Sequence, residues 1–272
     1  MVRPVLRDLL VTRPADEATV WAQQLQAAGW PARSLPLIDI VPPTDPAVRS
    51  KLARMREQAP TFDAVMFVSG AAVTGFFADM APAAWPSATR FWAPGPATAR
   101  RLAQALAVHG IDAARVDAPR GDATQFDSEA LWSEVRTQVR AGSRVLLVRG
   151  GSQADTAAGS GREWLMRQCR DAGAQVSICM AYERCAPTWT AEQIGHARQG
   201  MAPGALWLFS STEALANLAQ LSAEQRWQQA SALATHPRIA ERARAMGFGH
   251  VSHVRPTLPD VLAALESSWS HP

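Results

Sequence analysis

The chain has 272 residues, 47% of them hydrophobic and 19% charged, with a formal net charge of +3. That is enough apolar material for one large domain or two ordinary ones, and the absence of like-charge runs argues against a disordered chain. Lys51 is the only lysine, so the basic excess is arginine, which grips carboxylates and phosphates but is also favoured by GC-rich genomes; with no basic stripe, interleaved aromatics or nucleic-acid motif beside it, nucleic acid is not expected as a partner.

Short apolar runs alternate with helical patterns along the chain. Asp8–Val11 reads as a strand followed by Thr12-Arg13-Pro14, where Pro14 suits the first turn of a helix. Val20, Trp21, Leu25 and Ala28 recur at helical spacing, and Gly29 closes that helix. Ala32–Val41 is a second extended run ending in Pro42-Pro43, and it completes a strand–helix–strand unit A. Unit B has a continuous apolar strand, Ala64–Val68, the turn Ser69-Gly70 and a helix through Val73, Phe76 and Phe77. Unit C opens at Phe91, turns at Ala93-Pro94-Gly95-Pro96, continues as a helix from Ala97 to Val108 and reaches a short strand near Arg115–Asp117. A further helix is expected from Asp127-Ser128-Glu129 toward Val139.

Then the pattern returns. Val145-Leu146-Leu147-Val148-Arg149-Gly150 parallels Leu9-Leu10-Val11-Thr12-Arg13-Pro14. Arg149–Gly161, rich in Gly, Ser and Ala, reads as a flexible loop before a helix carrying Trp164 and Leu165; it lacks the Lys of a phosphate-binding P-loop. The strand Gln175–Met180 leads into Ala181-Tyr182-Glu183-Arg184. Ala205–Phe209 with Ser210-Ser211 repeats unit B, and Ala234-Thr235-His236-Pro237 with its helix repeats unit C. The order A, B, C, A′, B′, C′ at an offset of roughly 140 residues is too long for a solenoid and marks a duplicated domain. Continuous apolar strands alternating with helices imply parallel sheets buried on both faces. The expected fold is therefore α/β, with two similar doubly wound parallel-sheet domains.

Ligands of such sheets bind beyond the carboxyl ends of the strands. The candidates there are Arg13, Ser69, Thr98, Arg149, Ser210, Ser211 and Arg238. Ser69, Thr98, Ser210 and Ser211 fall at helix N-termini, which can hold an anion or be capped by these side chains; Ser210-Ser211-Thr212-Glu213 has capping-box spacing. Arg13 and Arg149 can pair with ligand carboxylates or with surface acids. Tyr182, the only tyrosine, lies in a segment that reads as a connector; it is either a proton donor to a leaving group or a packed aromatic. No Walker loop, dinucleotide fingerprint, metal motif or nucleophile elbow occurs, so no cofactor and no metal are expected.

Three cysteines, Cys169, Cys179 and Cys185, cannot all pair, and none has zinc spacing; reduced thiols and a cytoplasmic location are expected. No apolar run approaches a membrane span, and Arg3, Arg7 and Asp8 interrupt the start. Trp269-Ser270-His271-Pro272 resembles the start of a streptavidin-binding purification tag, so 267–272 is set aside as a tag or disordered tail.

Taken in order, several segments resemble the uroporphyrinogen-III synthase family: Leu9–Pro14, Leu35–Ile40, Ala93–Ala99, Leu146–Gly150, Ala172–Val176, Tyr182–Cys185, His236–Ala240 and Gly247–Gly249. The resemblance implies two flavodoxin-like domains joined by a two-stranded connector at Leu37–Pro43 and Met180–Pro187. Domain 1 would be 1–38 with 184–266, and domain 2 would be 39–183 inserted within it. It implies a cyclising lyase of haem biosynthesis that converts hydroxymethylbilane to uroporphyrinogen III, inverting ring D and losing water. Positioning would carry most of that catalysis. By the same resemblance Tyr182 matches a tyrosine that assists departure of the hydroxyl, Thr98 a threonine of the substrate site and Ser210 a serine on the other domain. Arg238 and Ile239 stand where some members have threonines, and Arg238 could bind a carboxylate instead. A monomer is implied, in transient contact with the preceding deaminase. The alternative on the same fold is a non-catalytic two-lobed binding protein for an acidic small molecule or tetrapyrrole.

Overall fold

The computed structural model describes residues 3–80, 84–119, 128–152, 160–222 and 226–272, without the side chains of 152 and 160–162. In chain order the first elements are β1 (Asp8–Val11), α1 (Ala15–Ala27), β2 (Ala32–Ser34), β3 (Asp39–Val41), α2 (Pro46–Gln58), β4 (Ala64–Phe67) and α3 (Gly70–Phe77). Next come β5 (Arg90–Trp92), α4 (Pro96–Val108), β6 (Val116–Asp117), α5 (Ser128–Val135), β7 (Arg144–Ser152), α6 (Ser160–Asp171) and β8 (Gln175–Cys185). The last are α7 (Ala191–Gln199), β9 (Ala205–Phe209), α8 (Thr212–Leu221), β10 (Ser231–Ala234), α9 (Pro237–Ala245), β11 (His250–His253) and α10 (Leu258–Ser268). The chain divides into two compact units, Met1–Asp39 with Cys185–Pro272, and Ile40–Arg184.

The first unit has a sheet in the order β11-β10-β9-β1-β2, and every pair in it is parallel. The second has the order β3-β8-β7-β4-β5-β6, with the pairs from β8 to β6 parallel. Set against the repeat, both sheets read the same way: second strand of an A unit, first strand of that unit, the B strand, then the strands of C. The first sheet draws on A, B′ and C′, and the second on B, C and A′, with β3, the end of A's extended run, added at its edge beside β8. β3 and β8, hydrogen-bonded neighbours, run through the points where the chain passes from one unit to the other.

The central strands β1, β4, β9 and β10 are buried at every residue. Alternate residues feed two cores, because successive side chains point to opposite faces. In the first unit Leu9 and Val11 pack with α1 and α10, while Leu10 packs with α8 and α9. In the second, Val65 and Phe67 meet α2, α3 and α4, and Ala64 and Met66 meet α5 and α6. Each sheet is thus covered on both faces, as parallel sheets require.

Several expectations need correction. Ala32–Val41 is not one strand: Pro36 lacks the N–H that would continue a ladder, and β2 and β3 belong to different sheets. α2 and α7 were not anticipated, although both carry start signals. Asp45 caps α2 ahead of Pro46, and Thr190 with Gln193 forms a full capping box on α7. The Arg149–Gly161 segment is not a loop at either end: β7 runs to Ser152 and α6 begins at Ser160, while 153–159 lie outside the described residues. Nor is 269–271 a disordered tail. Trp269 is buried in the α1/α10 core, Val5 and Ser270 form a parallel bridge, and the His271 ring stacks on Trp30 at 3.9 Å. An apolar indole gains more by packing there than the short tail loses in freedom.

Candidate functional site

The order of each sheet reverses at one place. In the second unit the chain leaves β4 toward β5 on one side and leaves β7 toward β8 on the other, so the switch lies between β4 and β7. Ser69 leaves the carboxyl end of β4, and Gly150 lies near that of β7. Ser69 is the N-cap of α3: its hydroxyl accepts the Ala72 N–H at 3.2 Å. It also shares a hydrogen bond of 3.1 Å with the Tyr182 hydroxyl.

Tyr182 lies in the connector segment, here part of a strand: it sits within β8 just before the chain passes to the first unit at Cys185, 6% exposed, in the core beneath α3. A register shift puts it there. Val148 pairs with Cys179 and Arg149 with Met180, but Gly150 pairs with Tyr182, leaving Ala181 as an extra residue on β8. Without that bulge Tyr182 would point to the opposite face from Cys179; with it, both share the α3 core. The ring then lies over Gly150, where a Cβ would come within 2.3 Å of Tyr182 Cζ. α3 approaches the bulge just as closely, since a Cβ on Gly75 would lie 2.4 Å from the Ala181 carbonyl oxygen. At the same end of α3 Arg56 donates to the carbonyls of Gly75 and Phe76 at 2.6 and 2.8 Å.

Thr98 is the third residue of α4, half-buried, on a helix capped by Gly95 without a side-chain bond. Arg101 on the same helix donates to Thr74 of α3 at 3.1 Å, tying the two helices together. Arg149 is inside β7 rather than after it, and its Nε donates to the Gly150 carbonyl at 2.9 Å.

In the first unit the corresponding switch lies between β1 and β9. Arg13 follows β1, pairs with Glu17 at 3.2 Å and lies 4.2 Å over the Trp21 ring; its surface-pair reading is the one present. Ser211, not Ser210, caps α8: its hydroxyl accepts the Glu213 N–H at 3.1 Å, so Ser210 is not the first residue of a capping box. Arg238 is exposed on the first turn of α9, and His236 caps that helix by accepting the Arg238 N–H on Nδ1 at 3.2 Å. Histidine is a rare cap, so its residue type is a weak signal for that role.

Among the described residues no cluster of three or more His, Cys, Asp or Glu could hold a metal ion, and no helix is long and apolar enough to cross a membrane. A hollow of about 290 Å³ lined by Arg3, Trp30, Glu266, Trp269, Ser270 and His271 lies at the amino end of the first sheet, away from these residues. The second unit's switch point thus offers one phenol, held against a capped helix terminus and suited to donating a proton or hydrogen bond.

A repeated, doubly wound parallel sheet with polar groups at its switch points defines a two-unit α/β protein of the flavodoxin-like class. The chain belongs to the uroporphyrinogen-III synthase family: the profile described as uroporphyrinogen-III synthase HemD matches residues 19–263. It is 33% identical over 181 residues to uroporphyrinogen-III synthase of Salmonella typhimurium, and 28% over 181 residues to that of Escherichia coli K12. Each match covers 65% of this chain and 65% of the relative, just under two thirds of those proteins. The crystal structure of uroporphyrinogen-III synthetase from Helicobacter pylori is similar with a TM-score of 0.55 at 14% identity, over 96% of this chain and 99% of that one. That likeness concerns the fold.

Proposed function

We propose that this chain is a uroporphyrinogen-III synthase, a cyclising lyase that closes hydroxymethylbilane to uroporphyrinogen III with inversion of ring D and loss of water. The observation that carries the reading is the Tyr182 phenol, 3.1 Å from Ser69 at a switch point, in a chain the family profile covers from 19 to 263. Tyr182 donates its proton to the departing hydroxyl; the carbon–oxygen bond breaks, water leaves, and the phenolate regains a proton from solvent. The remaining work is positioning: the two ends of the chain are held so that the new bond forms at the substituted carbon of ring D, the bond from that carbon to its old bridge breaks, and the freed bridge carbon joins the ring's unsubstituted α-carbon, which gives up its proton.

The substrate is a polycarboxylate, and helix N-termini favour anions. In this reading each unit offers such termini to carboxylates, α4 with Thr98 in the second and α8 and α9 with Ser210, Ser211 and Arg238 in the first. Arg13 and Arg149 join them only by exchanging their present partners, Glu17 and the Gly150 carbonyl. No cofactor or metal takes part. The domains follow the two compact units, Met1–Asp39 with Cys185–Pro272 and Ile40–Arg184. The protein acts as a cytoplasmic monomer in transient contact with the preceding deaminase.

The test is an isomer assay on freshly prepared hydroxymethylbilane, with the products oxidised and the uroporphyrins separated. A dominant type III product supports the synthase. Type I alone from folded protein moves the reading to a tetrapyrrole-binding protein. Tyr182→Phe should lower turnover by roughly ten-fold or more, and an unchanged rate would remove Tyr182 from the mechanism.

A further inference from the structure

The Tyr182 phenol is oriented by more than its own backbone. The bulge at Ala181 turns it onto the α3 face, and the missing side chain of Gly150 makes room for its ring. That leaves the hydroxyl as the end still to be fixed, and Ser69 meets it at 3.1 Å. Ser69 is itself held: its oxygen accepts the Ala72 N–H in the first turn of α3. α3 is held at its C-terminal end, where Gly75 meets Ala181 of β8 and Arg56 donates to the Gly75 and Phe76 carbonyls. With its oxygen engaged as an acceptor, the Ser69 hydroxyl can give its hydrogen to the Tyr182 oxygen. The phenolic proton then stays available to a ligand, and the serine remains as a donor to the oxygen once that proton has gone.

We propose that Ser69 is a positioning residue that acts on the reaction through Tyr182, aiming the phenol from the cap of α3, and does not itself bind substrate. The inference rests on the reading of Tyr182 as the group that assists loss of the hydroxyl.

Capping and orienting can be separated, because glycine serves almost as well as serine at an N-cap but carries no hydroxyl. Ser69→Gly should melt close to the parent and yet turn over about five-fold more slowly, the worth of one orienting hydrogen bond, with KM moving less than kcat. Ser69→Thr, which keeps the hydroxyl, should restore most of the rate. The deciding measurement is a double-mutant cycle with Tyr182→Phe: once the phenol is gone, Ser69→Gly should change kcat very little. Three results overturn the proposal while leaving Tyr182 in place. One is an equal loss from Ser69→Gly in both backgrounds, and another is a raised KM with kcat unchanged. The third is a parental rate in Ser69→Gly beside a slow Tyr182→Phe. A parental rate in Tyr182→Phe fells the Tyr182 reading, and this one with it.

Discussion

Replacing Gly150 by alanine tests the seat of Tyr182 directly. The new Cβ would lie 2.3 Å from Cζ, 2.4 Å from Cε2 and 2.8 Å from Cε1 of the ring. Carbon atoms rest about 3.5–4.0 Å apart, so the ring must retreat by roughly 1 Å. It has little room, being 6% exposed and packed in the core with α3. Overpacking of this kind costs about 1–3 kcal/mol, and replacing a strand glycine returns about 0.5–1 kcal/mol, for a net loss of about 0–2.5 kcal/mol. In a chain of this size that lowers the melting temperature by up to about 10 °C. Turnover should suffer more, because a displacement of about 1 Å in a reacting group can cost on the order of a hundred-fold. Calorimetry and the type III assay on the same preparation measure both effects. The companion variant is Gly150→Ala with Tyr182→Ala: the added methyl enters the space the ring has left, so the pair should be destabilised by less than the sum of the two single changes. A Gly150→Ala protein with parental stability and parental turnover would refute the account of how Tyr182 is seated.

Three further outcomes are expected. Trp269→Ala should destabilise the first unit by about 3–5 kcal/mol, the range for buried aromatic deletions, as a large drop in urea midpoint; a change within error would mean the indole contributes no packing. Burial pushes the Cys169 and Cys179 thiols up to about 11, so both stay protonated at pH 8 and only Cys185 should react quickly with a thiol reagent in the native protein; two or three fast equivalents would contradict this. Burial also raises the Asp8 carboxyl above 3.8, a shift only partly offset by Arg33 at 2.7 Å. The folded state then holds that proton more tightly than the unfolded one, and the contribution is lost as pH rises from 3.8 through the raised value. The stability of Asp8→Asn relative to the parent should therefore grow across that window and level off above it. A gap that shrinks with rising pH would show that the Arg33 pair outweighs burial.

The role of sequence in the candidate site differs from residue to residue. Ser69 and Ser211 were legible as residues at helix starts, because a serine after an apolar strand is a common cap. Ser210 was misassigned by one position, since two adjacent serines offer the same hydroxyl to the same turn. Arg13 was legible only as an alternative: Glu17, four residues on, sits where a helix brings it alongside, and the structure takes that pairing. Tyr182 was legible as a singular residue in an extended connector, but not as one seated on the α3 face. Nothing in Met180-Ala181-Tyr182 announces a bulge, which exists only through pairing with β7.

The period of the fold is written in local pattern. Strands buried on both faces must be continuously apolar, and helices between them must show apolar spacing, so the order A, B, C, A′, B′, C′ can be read from local pattern alone. The tertiary structure decided which copies share a sheet. A strand of unit A carries no local mark telling it to pair with B′ rather than B, and the register Leu9 with Leu206 is set by contacts nearly two hundred residues apart in the chain. The same holds for the phenol: its residue type is written in the chain, but its partner Ser69, its seat on Gly150 and the face it points to arise only when β8, β7 and α3 come together.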